Sequence, residues 1–247
     1  MILAVLAGAF IAFGAMFATV VSAGAEALPF GVARLLAGLV FSLGLILVIV
    51  GGAELFTGNA LIVMAWAARG IATGAILRNW AIVYLGNLIR SAATALLIFA
   101  AQQYGMGAGA VGSAALNIAA AKTGLAFGPA LALGILCNTL VCLAVWLCFS
   151  ARTVVGKIFA LVPPITAFVA GGFEHSVANM YFIPIGLLIK YLAPDSFWQT
   201  IGKVPADYPT LSLLGFIENL VPVTIGNVIG GGVLVGVVYW FAYLRGR

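Results

Sequence analysis

Residues 123–151 pass without one charged side chain, as do 1–25, 35–53, 55–68, 158–173, 176–189 and 219–244, and only Arg90 interrupts 79–101. A water-soluble surface cannot be made from such stretches. With 64% hydrophobic residues, 7% charged residues and a mean hydropathy of +1.23, the chain must take the bilayer as its solvent and lipid as its neighbour. Eleven Lys and Arg against six Asp and Glu stand singly at the edges of apolar runs. That scatter gives membrane topology rather than a phosphate-tracking face, so nucleic acid is excluded as a partner.

A span takes about 20 apolar residues, a length that 1–25, 79–101, 123–151 and 219–244 reach. The remaining stretches form two pairs, 35–53 with 55–68 and 158–173 with 176–189, each interrupted by Gly-Gly and then a carboxylate. A pair is too long for one span and its pieces are mostly too short to span alone, so each reads as a broken helix. Irregular backbone at membrane depth is tolerated only where protein buries it or it lines a cavity. The first run has no basic segment before it and no cleavage-like break after it, and is read as a mature membrane helix.

The interruptions match. Gly51-Gly52-Ala53-Glu54 with Asn59 recurs as Gly171-Gly172-Phe173-Glu174 with Asn179, an offset of 120, and Gly86-Asn87 recurs as Gly226-Asn227 at 140. An insertion in 190–216 accounts for the extra 20. The chain is therefore one all-α transmembrane domain over 1–247: repeat 1 about 1–101, a connecting loop about 102–122, and repeat 2 about 123–247. Three spans per half force the halves to be inverted, with the second and fifth helices broken. Arg69, Arg78, Arg152, Lys157, Arg245 and Arg247 collect on the side of the termini, against Arg34, Lys122, Lys190 and Lys203 on the other. That bias places both termini in the cytoplasm.

Few residues can carry chemistry. His175, the single histidine, sits at the second break; it is either exposed to whatever a pore holds or locked to a carbonyl in a helix seam. Glu54 and Glu174 read mainly as caps of the half-helices behind them, with Glu174 also placed to tune His175. Thr57 offers a hydroxyl at the first break, or a plain N-cap. Lys122 is either a snorkelling interface lysine or a charge concentrating anions at a mouth. Asn138 and Asn219 need partners inside the membrane, for which interhelical bonding is the simpler account. Phe41, Leu45, Leu55, Phe56 and Phe168 flank the breaks as packing or as hydrophobic constrictions. Cys137, Cys142 and Cys148 have neither metal-ligand nor disulfide spacing and read as reduced packing residues. No metal or cofactor is expected.

Glu54-Leu55-Phe56-Thr57-Gly58, Gly172-Phe173-Glu174-His175-Ser176-Val177-Ala178-Asn179-Met180 and Asn219-Leu220-Val221-Pro222-Val223-Thr224-Ile225-Gly226-Asn227 resemble the formate/nitrite transporter family, and within it the formate channels. The resemblance runs through essentially the whole chain. It implies an aquaporin-like six-helix protomer, a homopentamer with one pore per protomer, and location in the bacterial inner membrane. It also implies that His175 is the central pore histidine with Thr57 its partner, that Lys122, Glu174, Asn138, Asn179 and Asn219 are polar pore positions, and that Phe41, Leu45, Leu55 and Phe168 are constrictions. The sequence departs from the family where a cytoplasmic amphipathic segment would precede the first span.

The function expected is a channel for small monovalent anions, formate first, passed as anion or as acid. Nitrite and hydrosulfide channels would share every one of these features. An aquaporin-like conduit for neutral solutes would carry Asn-Pro-Ala at the breaks, which neither break has. An intramembrane enzyme would need a second catalytic group beside His175, and no such constellation is evident.

Overall fold

The computed structural model describes residues 2–245; Arg247, one of the basic residues on the side of the termini, lies outside them. Ten α-helices run in order: α1 Ile2–Ser22, α2 Phe30–Val50, α3 Val63–Ala67, α4 Thr73–Ala100, α5 Ala110–Thr123, α6 Phe127–Ser150, α7 Val154–Ala170, α8 Ser176–Leu192, α9 Asp195–Ile201 and α10 Leu213–Val228. Wide helical turns carry α10 on, so that its span runs Leu213–Leu244. In hydrocarbon a backbone must satisfy its own polar groups, which is why apolar sequence of this length can only be helical.

The six spans are α1, α2 with α3, α4, α6, α7 with α8, and α10. Helices pack α1 on α2 and α4 in one half, and α6 on α7 and α10 in the other. Lipid offers no hydrophobic drive to association, so close backbone approach must hold these pairs. At Gly8 a Cβ would run into the carbonyl oxygen of Asn87 on α4, and at Gly226 into that of Leu131 on α6.

Both breaks end the preceding helix alike. Gly52 and Gly172 adopt φ of +71° and +73°, open to glycine and costly for other residues. The next amides close back, Ala53 N to Val48 O at 2.9 Å and Phe173 N to Phe168 O at 3.0 Å.

Three boundaries differ from the sequence reading. The connection 102–122 is not a plain loop: its Ala-rich half forms α5, because alanine is the best helix former. The first piece of the first broken helix is a full span of 21 residues, beginning at Phe30. Arg34 marks its boundary in the sequence, but the side chain turns inward to carbonyls of α7 and leaves the helix uninterrupted. The second piece of that broken helix is short, a 3-10 turn Gly58–Ile62 leading into α3, whereas its counterpart α8 is 17 residues long.

Gly226→Leu should force α6 and α10 apart and cost about 2 kcal/mol by overpacking, read as a lower unfolding temperature of the detergent-solubilised protein. Gly128→Leu, where a Cβ meets nothing within 4 Å, should leave that temperature nearly unchanged.

Candidate functional site

The two breaks meet the middle of the two longest spans, and one asparagine holds each. Asn87 Oδ1 accepts from Phe56 N (2.9 Å), while its amide donates to Ala4 O (2.6 Å) and Glu54 O (3.1 Å). Asn227 Oδ1 accepts from Ser176 N (2.9 Å), and its amide donates to Gly134 O (2.8 Å) and Glu174 O (3.0 Å). Glu54 N and Glu174 N reach Leu3 O and Leu133 O in the same way. Every partner in one clamp has its counterpart in the other, as the inverted repeat requires. Tyr84 and Thr224, themselves equivalent positions, join side chain to side chain at 3.0 Å.

The clamps aim the polar tips of the two breaks at each other. His175, at the N-cap of α8, accepts the Ala178 amide on Nδ1 at 3.1 Å, and its Nε2 lies 3.0 Å from Thr57 Oγ1. A ring nitrogen that accepts carries no proton, so this is the neutral imidazole with its hydrogen on Nε2, donating to Thr57. The Thr57 hydroxyl hydrogen is then left without an acceptor of its own among the described residues. Asn138 fixes the loop from behind, donating to Thr57 O (3.1 Å) and to Asn227 O (2.6 Å). Thr57 is 0% and His175 2% exposed.

One cavity reaches His175, and a second is lined by Leu55 and Gly58, which flank Thr57 in the chain. The first, of about 530 Å³, is lined by Arg34, Lys122, Glu174, Phe41, Phe168 and Phe182 among others. Phe168 stacks on the imidazole at 5.9 Å between centroids, and Phe41 meets Phe168 edge-on at 5.5 Å. The other, of about 340 Å³, is apolar, with Leu45 and Leu55 in its wall.

Lys122, at the end of α5, is 2.7 Å from Glu174 Oε1. Asn179 donates to Glu174 Oε2 at 2.6 Å and to Asn219 Oδ1 at 2.7 Å, and Asn219 donates on to Lys122 O at 2.9 Å. Glu174 thus turns to Lys122 and the amides rather than to His175. Removing one partner of such a buried pair typically costs about 3–5 kcal/mol. The first break repeats the motif without the lysine: Asn59 donates to Glu54 Oε2 (3.4 Å) and Asn79 Oδ1 (3.0 Å).

The structure therefore brings His175, Thr57, Lys122, Glu174, Asn138, Asn179 and Asn219 into one connected polar system. Phe56 stands apart from the other residues expected at the constrictions. It lines neither cavity and packs edge-on against Tyr84 at 4.9 Å and Trp80 at 6.3 Å, because Leu55 faces the cavity and Phe56, next in the chain, faces α4. Asn87 and Asn227 stand out in the sequence only as an echo of the duplication, and that echo is the available signal for their role. Phe182, two turns beyond His175, carries no signal of its own. Arg34 reads in the sequence as a loop charge.

A bundle of apolar helices with two of them broken, the polar tips of the breaks meeting beside two cavities, defines a membrane conduit. The sequence matches the formate/nitrite transporter family over residues 1–241, and the chain belongs to that family. It is 46% identical to the formate channel FocA of Escherichia coli K12 across 98% of this chain and 86% of that protein. Identity to the formate channel FocA of Haemophilus influenzae is 43%, across 94% and 82%. Among solved structures it superposes on a pentameric formate channel with formate bound with a TM-score of 0.91, at 45% identity over 98% of this chain and 96% of that one. For an FNT family ion channel the TM-score is 0.80, at 30% identity over 98% and 88%.

Asn227→Ala would orphan one buried N–H and two carbonyls, each worth about 1–3 kcal/mol, and should lower the unfolding temperature strongly. Asn117→Ala, which loses one 3.4 Å bond from Tyr208, should not.

Proposed function

We propose that this chain forms a formate channel of the inner membrane, assembled as a homopentamer with both termini in the cytoplasm. The observation that carries the reading is the buried Thr57–His175 pair, with a cavity that holds charged residues reaching His175 and an uncharged cavity lined by the neighbours of Thr57, in the fold of a family whose relatives are formate channels. Assembly is supported by Arg90, exposed near the middle of α4, since a guanidinium at that depth needs a partner subunit rather than lipid.

An anion stripped of water between Phe41, Phe168, Leu45 and Leu55 is expensive unless donors replace the water. Thr57 supplies a free hydroxyl hydrogen, and His175 supplies Nε2–H once the solute replaces Thr57 as its acceptor. A neutral imidazole that gave up its proton would become imidazolate, so this ring donates a hydrogen bond and not its proton. Formate can take both donors on its two oxygens. Chloride, a single spherical ion, offers no such bidentate fit.

Initial rates into proteoliposomes for formate, nitrite, hydrosulfide, chloride and glycerol test the proposal. Formate should exceed chloride at least tenfold, and His175→Asn, which keeps an N–H donor, should retain a measurable share. His175→Phe should lose about 10–100-fold, as expected for one hydrogen bond to a charge worth about 1.5–3 kcal/mol. Equal formate and chloride rates would overturn the donor mechanism, and a preference for nitrite or hydrosulfide would reassign the substrate.

A further inference from the structure

Charge in the conduit is one-sided. The smaller cavity has no charged lining residue, whereas Glu26, Arg34, Lys122 and Glu174 line the larger, with His175 at its end. Lys122, the obvious anion attractor, is already matched by Glu174 at 2.7 Å. Glu26 is exposed on the Ala25–Ala27 turn. Arg34 is different. From α2 it donates through Nε to Ala170 O at 3.0 Å and through Nη2 to Val169 O at 2.7 Å, and it makes no ion pair among the described residues. Those carbonyls belong to the C-terminal end of α7, Val169 O also accepting from Gly172 N at 3.0 Å, and the partial charge of roughly −0.5 at that end offsets only part of a guanidinium. The repeat makes the placement selective, because the position equivalent to Arg34, 120 residues on, is Val154.

We infer that Arg34, not Lys122, is the unmatched cation of this vestibule: it recruits the anion to the conduit from one side while tying α2 to the end of α7, next to the break that carries His175. The geometry suits both tasks. A planar guanidinium fixed by two carbonyls keeps its remaining N–H groups for the cavity. At a partly hydrated wall one unit charge should raise local anion concentration about five-fold, an effect that salt screens.

The inference rests on the formate-channel reading, and the experiment separates the two. In vesicles with the protein in a single orientation, formate influx is measured from each face at low and high ionic strength. For the wild type, half-saturation should rise with salt only for formate offered from the vestibule side. Arg34→Gln should raise half-saturation about five-fold from that side, with the maximal rate unchanged and the salt dependence gone, and Arg34→Lys should restore both. A loss of maximal rate from both faces alike would make Arg34 a structural tie only, and overturn the recruitment role. Equal salt dependence from both faces of the wild type would overturn it as well, without recourse to any variant. Absence of formate flux in the wild type would instead refute the channel reading itself.

Discussion

Everything in this protein depends on interrupting two helices inside a membrane without leaving their backbone groups bare. Each unpaired N–H or C=O in hydrocarbon costs several kcal/mol, and a break exposes several at once. Asn87 and Asn227 solve the problem identically, each accepting from one amide and donating to two carbonyls across three helices. An asparagine is suited to this because its short side chain offers an acceptor and two donors in one plane. Glycine completes the device by letting the chain turn through positive φ at Gly52 and Gly172.

Upon this symmetric frame the functional side chains are distributed asymmetrically. Glu54 and Glu174 occupy equivalent places with equivalent asparagine partners, yet only Glu174 meets a lysine. The tips differ too: Leu55 stands where the second repeat has His175, so the polar pairing is made by Thr57 reaching across to the imidazole. One vestibule is consequently charged and the other apolar. The frame fixes where a solute must pass, and departures from symmetry fix what it meets there.

Much of this is legible in the sequence because it is repetitive and apolar. Span number, broken helices and inversion come from charge-free runs and the recurrence of Gly-Gly-x-Glu, and His175 is conspicuous as the single histidine. The hidden part depends on direction rather than composition. Whether Glu174 turns to His175 or to Lys122 is decided by where α5 ends, and α5 itself reads as loop because small residues give no amphipathic signal. Phe56 and Leu55 are neighbours of similar hydrophobicity, and only the loop's path separates core from cavity. Arg34 looks like a helix boundary because a charge in an apolar run suggests an end, unless a helix terminus nearby can receive it.

A neutral imidazole, with its hydrogen on Nε2, stands at the end of the charged cavity and against Thr57 of the other break. Because the protein has one histidine, nitrogen-15 magnetic resonance of the histidine-labelled protein in lipid at neutral pH reads this group alone. The account predicts one protonated and one unprotonated ring nitrogen, with the proton on Nε2. An imidazolium signal, or a neutral ring protonated on Nδ1, would contradict it.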